Sequence, residues 1–93
     1  RMGYYNQNTQ KYIESILDEK LEIVSGLGNV SVKDGEIFVH AHLVLANDKG
    51  STYGGHLVGG CVVFAAEYWI RELTGGELLR ERDPRTGLAL WPL

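Results

Sequence analysis

The chain has 93 residues, 44% of them hydrophobic, and a formal net charge of −3. That length bounds it to one domain, over 1–93, with a core small enough for a metal ion or self-association to matter. The acidic balance argues against a free-standing nucleic-acid binder, the single cysteine excludes an intrachain disulfide, and no apolar run nears the roughly 20 residues of a membrane helix.

No leader segment is visible, and a lone thiol suits a reducing compartment, so a cytoplasmic location is expected. Residues 1–11 are polar apart from Tyr4 and Tyr5 and read as a loop or arm. In 12–17 the apolar spacing (Tyr12, Ile13, Ile16, Leu17) fits a helical turn capped by Asn8 or Thr9, and a strand equally well. A short strand is expected over 21–25. Gly26 and Gly28 then suggest a bend or bulge, and 30–32 resumes the strand. Asp34-Gly35 is a hairpin signal. It leads into a strand over 36–46, and Asn47 to Gly50 forms a second turn.

That strand carries His40 and His42. A spacing of i, i+2 puts both imidazoles on one strand face, opposite Ile37, Val39, Ala41, Leu43 and Leu45. The third histidine, His56, follows Gly54-Gly55, whose missing side chains leave room for an approaching ligand. The turn at 47–50 returns the chain antiparallel, which sets 53–56 beside the histidine strand. Three imidazoles suit a tetrahedral zinc site with one open position for water or a small anion. Three histidines satisfied by solvent or by core contacts are the competing reading of the residues alone.

Residues 62–73 are the longest apolar segment, and their β-branched and aromatic content favours a strand. A last short strand is expected over 77–82, a turn over 83–87, and 88–93 closes the chain. Cys61 reads as a small buried hydrophobe. Phe64, Tyr68 and Trp69 read as core or interface rather than a base-stacking platform. Arg80 and Arg82 share a face and read as solvated or ion-paired.

The segments Leu21-Glu22-Ile23-Val24-Ser25, Gly28-Asn29-Val30, His40-Ala41-His42, Asp48-Lys49-Gly50, Gly54-Gly55-His56-Leu57, Ala66-Glu67, Arg80-Glu81-Arg82-Asp83 and Thr86-Gly87-Leu88 occur in this order. The order resembles the PPC domain, the plant and prokaryote conserved domain, over residues 12–90. The resemblance implies an α+β fold, mainly antiparallel sheet, assembled as a homotrimer. Members of that family usually carry a strand and a helix before the position of Gly3, and the expectation is that this domain is without them. Plant members join the domain to AT-hooks in nuclear DNA-binding proteins, and prokaryotic members that stand alone are commonly labelled DNA-binding. The AT-hook core Arg-Gly-Arg-Pro is missing here, so the isolated domain is not expected to bind duplex DNA tightly. The His-x-His pair with a third histidine downstream is also similar to acetolactate decarboxylases, which implies His40, His42 and His56 as ligands of zinc or another divalent transition metal.

An enzyme would further need an acid or base beside the ion. Glu67 is the one candidate by pattern, and pairing with an arginine or support of a histidine ring suits it better. The expectation is therefore a metal-binding trimeric module with a regulatory or DNA-associated role. A zinc-dependent lyase or hydrolase for small carbonyl or ester substrates, and a purely structural trimer, are the alternatives.

Overall fold

In the computed structural model, which describes residues 1–92, the chain forms seven strands. These are β1 (Met2–Asn6), β2 (Lys11–Ser15), β3 (Glu22–Lys33), β4 (Glu36–Ala46), β5 (Thr52–Leu57), β6 (Leu79–Arg82) and β7 (Ala89–Leu90). They lie in the order β2-β1-β5-β4-β3-β6-β7. Every pairing is antiparallel except the short parallel contact of β3 with β6.

The centre of the sheet is built by two turns. Asp34 and Gly35 both adopt positive φ, 51° and 77°, as a two-residue hairpin whose twist matches its strands requires. This turn joins β3 to β4 in a register running from Lys33 opposite Glu36 to Glu22 opposite Ala46. At the other end of β4, the Asn47 side-chain oxygen accepts from the amides of Lys49 and Ser51 at 3.1 and 2.9 Å, and Gly50 has φ of 79°. The chain then returns as β5. The expected break near Gly26 is a bulge between Ile23 and Ser25, and β3 continues through both glycines. Gly28 faces Ala41, where an added Cβ would lie 2.3 Å from the His40 carbonyl oxygen. Only glycine lets the two strands approach this closely.

The α+β expectation is overturned: among the described residues there is no helix, and the fold is all-β. Residues 1–11 are not a loop, and 12–17 are not a helical turn. Asn6 makes the difference, because its side-chain oxygen accepts from the amides of Asn8 and Thr9, both at 3.0 Å. That Asx turn folds the chain back, and β1 and β2 pair from Met2 with Ser15 to Asn6 with Lys11. Asn8 and Thr9 therefore stand in a turn and cap nothing.

The strand expected over 62–73 is absent as well. Its residues alternate correctly, but a strand needs a ladder partner, and no described strand runs beside it. Val62, Phe64, Tyr68 and Trp69 are exposed. The expected strand at 77–82 is present as β6. Met2 is the one buried hydrophobe among the described residues. Val30, Ile37 and Val39 lie on the sheet face away from the histidines, and all three are exposed. A single sheet layer with an open apolar face lacks the second layer that normally covers it. Each such side chain forgoes about 1.5–3 kcal/mol of burial. No helix of the described residues is long and apolar enough to cross a membrane.

Candidate metal centre

His40 and His42 project from the same face of β4, as their spacing requires. The register places His56 of β5 directly opposite His42, and Gly3 of β1 opposite His56 on the far side. The three side chains therefore meet over the middle of the sheet. One nitrogen from each ring lies within 4.8 Å of the other two. The Nε2 atoms of His40 and His42 are 3.1 Å apart. That separation is close to the edge of about 3.3 Å in a tetrahedron with Zn–N bonds of 2.0–2.1 Å. Nδ1 of His56 is buried and has no hydrogen-bond partner. A buried ring nitrogen left unpaired costs free energy unless something binds it. The donor set thus fits a transition ion in chemistry and in spacing.

On the His56 side the surroundings are aromatic. The Tyr12 ring lies 5.1 Å from the His56 ring, and the Tyr5 ring 5.0 Å from that of Tyr12. Gly3 leaves room for Val58, which a Cβ there would approach to 3.0 Å, while Tyr12 at 3.4 Å would be in ordinary contact. Leu27, opposite His42 on β3, forms an exposed apolar rim. Burial first, and then the positive charges of His56, Arg80 and His42, hold the His40 imidazole below its ordinary value. Burial and then His42 do the same to His56. Both shifts favour the neutral ring, the form that ligates a metal.

Arg80 is the residue the sequence concealed. It is neither solvated nor ion-paired but half-buried behind His40. Its Nε donates to Ser31 Oγ at 2.8 Å, Nη1 to the Ala89 carbonyl at 2.9 Å, and Nη2 to Asn29 Oδ1 at 2.8 Å. Nη2 also lies 3.4 Å from His40 Nδ1. The guanidinium stands between the Phe38 and Trp91 rings, 5.4 and 5.0 Å from their centres. The parallel pairing of Lys33 with Arg80 brings it there from far along the chain, and no local motif announces such a contact.

Other expected participants lie elsewhere. Glu67 is exposed, between β5 and β6, and belongs to neither of the ion pairs among the described residues. Cys61 is exposed rather than buried, with its Sγ 3.3 Å from the carbonyl oxygens of Arg1 and Val58. Gly55 serves the β1–β5 approach rather than a ligand, since a Cβ there would lie 2.9 Å from the Gly3 carbonyl oxygen.

The profile of the Plants and Prokaryotes Conserved (PCC) domain matches residues 1–74. A curated relative, the bifunctional protein GlmU of Synechococcus sp. (strain JA-2-3B'a(2-13)), is 37% identical over 75 residues, 80% of this chain and 11% of that protein. GlmU of Synechococcus sp. (strain JA-3-3Ab) is 38% identical over 73 residues. The chain therefore spans about a tenth of the length of these relatives. Among solved structures, a plant- and prokaryote-conserved protein from Pyrococcus horikoshii is 44% identical with a TM-score of 0.92, covering 99% of this chain and 63% of that one. A metal-containing protein from Archaeoglobus fulgidus is 41% identical with a TM-score of 0.80, covering 99% of this chain and 64% of that one. A candidate DNA-binding protein from Bacteroides thetaiotaomicron, 21% identical with a TM-score of 0.76 over 98% of this chain and 63% of that one, shares the fold.

Proposed function

The chain belongs to the Plants and Prokaryotes Conserved (PCC) domain family, and from that membership and the histidine geometry we propose that it is a metal-binding module whose ion is held by His40, His42 and His56. The observation that carries this reading is the convergence of three ring nitrogens within 4.8 Å. The metal-containing relative, 41% identical across 99% of this chain, supports it. Three imidazoles with one position left over suit zinc best, and other divalent transition ions in its place. When bound, such an ion supplies a Lewis acid that polarises a carbonyl or an anion.

The chain's own residues hold neutral rings in place and wall one side with Tyr12. Among the described residues no carboxylate joins the three rings, which favours binding over turnover. A zinc-dependent lyase or hydrolase would need such a group, and Glu67 does not stand there. We further infer that the module assembles with copies of itself, as a trimer. The open sheet face of Val30, Ile37 and Val39 and the exposed apolar stretch from Val62 to Leu73 support this. A regulatory role, in which the assembled module presents its metal site to a small ligand, follows from these two readings. A DNA-associated role has the family resemblance and a shared fold at 21% identity behind it, and the net charge of −3 weighs against it.

Elemental analysis of protein purified without a polyhistidine tag tests the proposal, alongside His40→Ala, His42→Ala and His56→Ala. Equimolar transition metal is expected in the parent, with most of the affinity lost in each variant and far-UV circular dichroism unchanged. Metal content equal in the parent and all three variants overturns the reading.

A further inference from the structure

We infer that the open position beside the three histidines selects a small carboxylate over a neutral ligand, and that Arg80 sets this selectivity, an inference that rests on the metal-binding reading above. The argument is a charge count. Arg80 is half-buried, and its three close hydrogen bonds all go to neutral acceptors: a serine hydroxyl, a backbone carbonyl and an asparagine oxygen. Its two further neighbours are aromatic rings. Among the described residues the ion pairs are Arg1 with Glu14 and Arg85 with Asp83, and neither involves Arg80. The guanidinium charge is therefore held beside His40, and among the described residues no carboxylate pairs with it.

A divalent ion on three neutral imidazoles would add two positive charges to the same place. No carboxylate belongs to the metal cluster either. A ligating histidine commonly has a carboxylate or carbonyl behind its second nitrogen, which raises its basicity. Here the group behind His40 is a cation, 3.4 Å from Nδ1. A cation there withdraws electron density and leaves a bound ion more electrophilic. An anion at the open position is the arrangement that supplies the negative charge the described residues do not.

A carboxylate suits the site better than a phosphate. Phosphate recognition draws on several converging donors, and Arg80 commits three of its five N–H donors to Ser31, Ala89 and Asn29, with Nη2 also turned toward His40. Arg80 thus acts through its field and not by grasping the ligand. Leu27 on the rim and Tyr12 over His56 offer apolar contact to the remainder of a small organic acid. Arg80 is accordingly a positioning and selectivity residue, not a ligand.

The test uses the full chain loaded with cobalt(II), whose visible absorption reports what occupies the open position. Acetate is the anionic probe and imidazole the neutral one. In Arg80→Gln the acetate dissociation constant should rise about tenfold, the order expected for one unit charge at about 8 Å in a partly exposed site. Imidazole binding should stay within about twofold. Asn29→Asp provides a second route: it leaves Arg80 in place and sets a carboxylate against Nη2. It should weaken acetate similarly, and it decides the matter if Arg80→Gln fails to fold. Acetate binding unchanged in the folded variants, or acetate and imidazole weakened in parallel, overturns the inference. Cobalt content is read separately by elemental analysis. A parent chain that takes up no cobalt overturns the metal reading together with this one, whereas a loaded chain indifferent to charge overturns this one alone.

Discussion

Gly28→Ala probes how the close approach of two strands holds the site. The new Cβ would stand 2.3 Å from the His40 carbonyl oxygen, 2.9 Å from Ala41 Cα and 3.0 Å from Ala41 Cβ. An ordinary carbon–oxygen contact is about 3.3 Å, so β3 and β4 must part locally by about 1 Å. Backbone N···O distances of about 2.9 Å would then stretch to about 3.9 Å, beyond hydrogen-bonding range. Two ladder bonds at about 1 kcal/mol each, with residual strain of about 1 kcal/mol, give a loss near 3 kcal/mol. The reduced freedom of the unfolded chain returns about 0.7 kcal/mol. The expected net destabilisation is about 2 kcal/mol, near a thirtyfold change in the folding constant. Because the clash falls on the backbone of His40 and Ala41, metal affinity should fall as well. The assay is urea unfolding of metal-free protein at fixed concentration, then chelator competition for zinc. Gly54→Ala is the control, since its Cβ would meet nothing closer than the Leu43 carbonyl oxygen at 3.4 Å. Stabilities of the two variants within about 0.5 kcal/mol of each other would refute the reasoning.

Acid should weaken the metal-free fold. His40 and His56 are held below their ordinary value of 6.5 in the folded chain, so the unfolded chain binds more protons between that value and the lower folded ones. Stability is then fully present above about 6.5 and declines as pH falls through the folded values, and a urea midpoint flat between about pH 7 and 5 contradicts this. Metal should leave over the same interval, because protonated rings cannot ligate. Light scattering at micromolar concentration should report an assembly of three chains, and a stable monomer would count against the self-association reading. Gel shifts with duplex DNA at about 150 mM salt should show no tight complex, and a nanomolar, sequence-specific shift would reverse that expectation.

The sequence by itself determined the β3–β4–β5 centre and the meeting of the histidines. Both rest on local physics: an Asp-Gly turn, a β-branched and apolar run over 36–46 with one wholly apolar face, a Gly-ended turn at 47–50, and a period of two that cannot place His40 and His42 on different faces. The resemblance to a known family was legible in the same segments, although the helical part it implied is not found among the described residues. Tertiary structure alone decided three matters. Tyr12, Ile13, Ile16 and Leu17 satisfy a helical and an extended period alike, and the choice fell to the Asn6 turn and to β1, whose Gly3 docks opposite His56. Residues 62–73 have a strand's pattern, yet a pattern becomes a strand only beside a partner, and the described sheet provides none. Arg80 looked like any surface arginine until β6 paired with β3 and set its charge behind His40. Each of these rests on contacts between segments distant in the chain, whose free energy no window of neighbouring residues contains.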